Sequence, residues 1–163
     1  MDLFKESMER AKRNIHIADH MLSVTYPLVK DTKLLLAIVE NIFLAYTNAM
    51  SSLLYYKRAL KLIPPFQDNF DSKFNIFRQR CVDKYKIDRN YIVEIQNLKD
   101  IIMGHKKSPV EFVRKDRFVI CSDNYKLKTI NLEEIKRYLN KAKLFIEEVN
   151  NIISKNERLS GES

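Results

Sequence analysis

The stretch from Leu34 to Tyr56, LLLAIVENIFLAYTNAMSSLLYY, carries no Lys, Arg or Asp. It is long enough for the bilayer core, which takes about 20 residues. Glu40 sits inside it, and a central carboxylate costs roughly 2.5 to 3.5 kcal/mol on insertion scales. Asn41, Thr47, Asn48, Ser51 and Ser52 add further polar groups. The segment therefore reads as the interior helix of an all-helical fold rather than as a membrane span. Its polar residues recur at about three and a half positions, which draws a narrow stripe along one side of the helix. Such a stripe faces water, lines a cleft or meets a second copy of the chain. Glu40, Asn41, Thr47 and Asn48 are accordingly candidate cleft or interface residues.

Working outward, Phe4, Met8, Ala11, Ile15, Ala18 and Leu22 alternate steps of four and three, predicting a helix over 2–26 that Pro27 ends. Asp31 or Thr32 can cap the apolar helix, which Pro64-Pro65 closes after Ile63. Phe70, Phe74, Phe77, Cys81 and Tyr85 share one face of a shorter helix. Asp88 can then cap a helix over 89–103, with Gly104 where a left-handed C-terminal cap belongs.

Beyond it the period changes from helical to alternating. Residues 110–121 are rich in β-branched and aromatic types around Arg114-Lys115-Asp116-Arg117, which predicts a hairpin turning near Lys115-Asp116, and a third strand fits at 125–129. Asn131 followed by Glu134 resembles a capping box for a last helix reaching Ser154. The expected architecture is an all-α, antiparallel four-helix bundle with an extra short helix and a small β-hairpin insertion over about 110–129. Residues 1–155 form one domain and 156–163 a flexible tail.

The 163 residues include two glycines, Gly104 and Gly161, so glycine-rich phosphate loops and turn-rich β folds are excluded. Cys81 and Cys121 have no Cys or His at metal-ligand spacing and read as free thiols. The first residues lack the pattern of a secretory signal, making the cytoplasm the expected location. No cofactor is expected.

His16 and His20 lie one helical turn apart, but they flank the apolar stripe and the Glu-x-x-His motif of bundle metal sites is absent, so no metal is expected either. A different constellation closes the 89–103 helix: Lys99-Asp100, then five residues, then His105. A neutral imidazole can take a 2′-hydroxyl proton or protonate a leaving oxygen, and a nearby cation can stabilise a phosphorane. A His after a helix end can also serve only to bond the last carbonyls.

Here the chain resembles the HEPN domains, small all-helical bundles, commonly dimeric, that act in prokaryotic toxin and defence systems as RNases or RNA-binding modules. Active members carry Arg, four to six residues, then His late in a helix, often with a polar residue directly after the Arg. Lys99, Asp100 and His105 match that spacing, with Lys in place of Arg, a point charge without the bidentate fork. The resemblance implies a metal-independent RNase or a non-cleaving relative, with Lys99, Asp100 and His105 as its site.

From Lys99 to Lys128, eight basic residues stand against four acidic ones, half of the chain's excess of +8. Phe112, Phe118 and Tyr125 interleave with them. Such a basic hairpin can stack bases while Lys106, Lys107, Arg114, Lys115, Arg117, Lys126 and Lys128 hold phosphates; simple alternation in a solvent-facing hairpin gives the same pattern. The sequence thus points to an RNA-binding or RNA-cleaving protein, or to a non-catalytic scaffold that dimerises or presents a groove to another protein. RNA, a second copy and a protein are the candidate partners, and a membrane is not.

Overall fold

The computed structural model describes residues 2–107, 111–114, 117–121 and 127–159. The chain is mostly helical, with α1 (Leu3–His20), α2 (Tyr26–Val29), α3 (Lys33–Ala59), α4 (Phe70–Phe77), α5 (Asn90–Lys107) and α6 (Leu132–Leu159). Between α5 and α6 lie β1 (Glu111–Arg114), β2 (Arg117–Cys121) and β3 (Leu127–Asn131), an antiparallel sheet in the order β1-β2-β3.

Pro27 does not end the first helix as expected. A π-turn at Met21–Thr25 widens the ring before it, and the Tyr26 N–H donates to the Met21 carbonyl. Pro27 then falls in the first turn of α2, where its missing N–H costs nothing. The chain leaves α2 at Lys30, in the left-handed region with φ of 51°.

Helix α3 is long and apolar enough to cross a membrane by length and composition. In this fold Ile38, Val39, Ile42, Ala45, Tyr46, Ala49, Met50, Leu53 and Leu54 are all fully enclosed. Each large apolar side chain so buried contributes about 1.5–3 kcal/mol. Helix α1 runs antiparallel to α3: Ser52 Oγ donates to the Phe4 carbonyl at 2.7 Å, and Asn48 Nδ2 donates to Asn14 Oδ1 at 2.9 Å. Tyr46 meets Tyr91 of α5 and Phe145 of α6, with ring centroids 6.4 and 5.1 Å apart. Helix α5 in turn runs antiparallel to α6, since Tyr91 packs on Phe145 while Glu94 pairs with Arg137.

Helix α4 is capped by Asn69, whose side chain accepts from the Ser72 N–H at 2.8 Å, and it buries Phe74 and Phe77. Helix α6 is capped by Asn131 Oδ1, which accepts from the Glu134 N–H at 2.8 Å. Asn131 also ends β3, so the strand is displaced from 125–129 toward the cap.

Gly104 is not a left-handed cap: α5 passes through it to Lys107. Glycine inside a helix costs about 1 kcal/mol relative to Ala, which packing of α5 against the sheet can offset. Among the described non-glycine residues, positive φ angles fall instead on Lys30, Lys61 and Lys86. At Lys61 the Leu62 N–H donates to the Lys57 carbonyl at 2.9 Å and the Lys61 N–H to the Arg58 carbonyl at 2.9 Å. That is the Schellman closure of α3, built without glycine.

Candidate nucleic-acid interface

The continuation of α5 decides how its chemistry-bearing residues are displayed. Lys99 and His105 ride on one rigid helix, about 9 Å apart along its axis and roughly 120° apart around it. Lys99 is half-buried and turned toward the start of α4: its Nζ lies 3.0 Å from Asp71 Oδ1 and 4.3 Å from the centroid of the Phe70 ring. Asp100 is exposed and accepts a hydrogen bond from Gln96 Nε2 at 3.0 Å. His105 is half-buried. Lys106 and Lys107 occupy the last turn of α5.

Beside that end of α5 stands the sheet, with β2 packed against the helix. In the β1–β2 register Arg114 is the direct partner of Arg117, and Val113 that of Phe118. In the β2–β3 register Phe118 pairs with Ile130, and Ile120 with Lys128. Ile130 is buried, so Arg114 and Arg117 fall on the opposite alternation parity from the residue that joins the core. Like-charged residue types directly opposed in a ladder disfavour pairing unless an anion compensates them. Lys115 and Lys126 lie outside the described residues.

The polar stripe of α3 divides. Glu40 is exposed, whereas Asn41 and Asn48 both turn to Asn14 of α1: Asn14 Nδ2 donates to Asn41 Oδ1 at 3.4 Å, and Asn48 Nδ2 donates to Asn14 Oδ1. Thr47 Oγ1 donates to the Leu44 carbonyl at 3.2 Å. The stripe is thus largely a ladder between two helices of one chain. His16 and His20 are exposed, and among the described residues no group of His, Cys, Asp or Glu is placed to hold a metal ion.

Sequence reasoning missed two buried polar clusters. Glu94, 5% exposed, accepts from Arg137 Nη1 at 2.7 Å and Lys141 Nζ at 3.2 Å through Oε1, while Oε2 is buried without a hydrogen bond. The fully enclosed Tyr46 hydroxyl also lacks one, and burial first and then the Glu94 charge push its ionisation well above the usual phenol range. Lys57, only 1% exposed, donates from Nζ to the Tyr85 hydroxyl at 2.8 Å, and Asn156 Nδ2 donates to the same oxygen at 3.3 Å. Cys81 is enclosed nearby, its thiol pushed up to about 11 by burial.

Comparison with known proteins adds no relative. No family model, no curated protein and no solved structure matches this chain.

Proposed function

We propose that this protein is a HEPN-like four-helix bundle that binds RNA without cutting it, through the basic end formed by the last turn of α5 and the inserted β-hairpin with its third strand. The observation that carries this reading is the Arg114–Arg117 pairing in the register, beside a helix that ends in Lys106 and Lys107. Like charges at directly paired ladder positions disfavour pairing, and a bound phosphate would offset that cost. Cleavage is disfavoured because Lys99 is already held by Asp71 and the Phe70 ring, away from a role at a developing phosphorane.

The test is a mobility shift with a mixed RNA pool at low salt, followed by electrophoresis of the recovered RNA. The expected result is a shifted, intact pool. Absence of any shift at low salt defeats the binding reading, and cleavage that disappears in His105→Ala restores the nuclease.

A second reading, association with another copy or another protein, is favoured by one observation. Ile17, Val24 and Leu28 recur along α1, the π-turn and α2 at steps of seven and four and stay exposed, Leu28 by 81%. Sedimentation at high concentration tests it, a strict monomer counting against self-association.

A further inference from the structure

A groove of about 450 Å³ lies between the segment that enters α5 and the C-terminal half of α6. Its walls carry Tyr85, Tyr91, Glu147, Glu148, Asn151 and Lys155. The volume falls within the range of small-molecule sites, about 300–1,000 Å³. Tyr85 is anchored from behind, because its hydroxyl accepts from both Lys57 and Asn156. Tyr91 is half-buried and packed on Phe145 with ring centroids 5.1 Å apart. Two aromatic side chains are therefore fixed on the walls before anything binds.

The charged and amide groups of the groove are unspent. Among the described residues no ion pair or hydrogen bond involves the side chain of Glu147, Glu148, Asn151 or Lys155. Glu148 is half-buried, and burial first, then the Asp88 charge, hold its carboxyl above the ordinary range. A carboxylate in that position gains from N–H donors. Lys155 is exposed on the same wall. Aromatic walls, a carboxylate lacking donors and a lysine beside them correspond to the three parts of a nucleotide: a flat base, its N–H edge and its phosphate.

We infer that this groove receives a guanine base, stacked against Tyr85 and Tyr91, with N1–H and the 2-amino group donating to Glu148 and the attached phosphate met by Lys155. Guanine is the natural base that offers two adjacent N–H donors to the two oxygens of one carboxylate. The base is the same in an RNA strand and in a free nucleotide. The RNA reading supplies only the strand, and the inference rests on it to that extent.

The experiment titrates the full-length protein with four ligands: a short guanosine-containing RNA, the same RNA with inosine in place of guanosine, oligouridine, and guanosine monophosphate. Inosine lacks the 2-amino donor. Each titration is repeated with Glu148→Gln, with Glu147→Gln and with the pair Arg114→Gln/Arg117→Gln, after thermal melting has shown each variant folded. The expected result is about a tenfold preference for guanosine over inosine in the wild type, the magnitude of one hydrogen bond to a charged group. Glu148→Gln erases that preference, and the arginine pair weakens all RNAs alike.

RNA binding without base preference, or a preference that survives in both glutamate variants, overturns the groove while the RNA reading stands. Binding of guanosine monophosphate that Glu148→Gln abolishes, without any RNA binding, upholds the groove and defeats the RNA reading. Failure of every ligand defeats both.

Discussion

A buried ammonium whose single hydrogen bond goes to a phenol makes an asymmetric prediction. Lys57 is 1% exposed, and its Nζ has three donors but, among the described residues, one bonded partner, the Tyr85 hydroxyl at 2.8 Å. Tyr85→Phe removes that acceptor and leaves the ammonium enclosed, so the loss is that of a hydrogen bond to a charged group, about 2 kcal/mol. Lys57→Met removes the charge itself and keeps the length of the side chain, and replacing a buried charge by an apolar residue of similar volume is often neutral or stabilising. Its expected effect is between about −1 and +1 kcal/mol. In the Lys57→Met background, Tyr85→Phe should cost less than about 0.5 kcal/mol, because Asn156 is only half-buried and can turn to water. The coupling energy of the cycle is then about 1.5 kcal/mol. Urea unfolding followed by circular dichroism measures all four proteins, the chain having no Trp to report by fluorescence. Equal costs of Tyr85→Phe in the two backgrounds, or a loss above about 3 kcal/mol from Lys57→Met, would refute the reasoning.

Four further outcomes follow from individual contacts. Lys61→Gly, at φ of 58° in the Schellman closure of α3, should raise stability by about 0.5–1 kcal/mol in the same assay, whereas a loss would show that the lysine side chain contributes there. Cys81 is fully enclosed with its thiol near 11, so at pH 8 about one molecule in a thousand is thiolate; in a Cys121→Ser background a thiol reagent should label it only on unfolding. Asn14→Ala strips partners from Asn41 and Asn48 and should cost about 1–2 kcal/mol, with Asn14→Asp less damaging because Asn48 keeps its acceptor. Glu148 is raised in the folded state, so its ionisation opposes folding above the ordinary carboxylate range and has no effect below it; Glu148→Gln should stabilise the protein at pH 7 and not at pH 3, as melting temperatures at the two values will show.

Much of the helical layout was legible because it rests on short-range rules. The apolar run of α3, the stripe of α1 and the cap at Asn131 all depend on residues within a turn or two of each other. The misreadings share a cause in tertiary context. Pro27 reads as a helix end until a π-turn absorbs it, and Gly104 reads as a cap until the sheet packs on α5. Scarcity of glycine does not keep the chain out of the left-handed region, because among the described residues Lys30, Lys61 and Lys86 take it at helix ends. Lys57 was detectable: Val39, Tyr46, Met50, Leu53 and Lys57 follow helical steps of seven, four, three and four, so its position lies on the enclosed stripe despite its charge. The Asn14 ladder was not, since no local pattern says which helix a polar stripe will meet. The pairing of Lys99 with Asp71 was equally hidden, because it joins two helices separated by 28 positions.

The central claim is that RNA is held at the end of the molecule where α5 meets the sheet. Its most direct measurement is the affinity for a short single-stranded RNA as a function of salt, for the wild type and for Arg114→Gln/Arg117→Gln. Each neutralised phosphate contributes a slope of about −0.7 in log affinity against log salt, so loss of two contacts should flatten the slope by about 1.4 and weaken binding at every salt concentration. An unchanged slope with unchanged affinity would contradict the account.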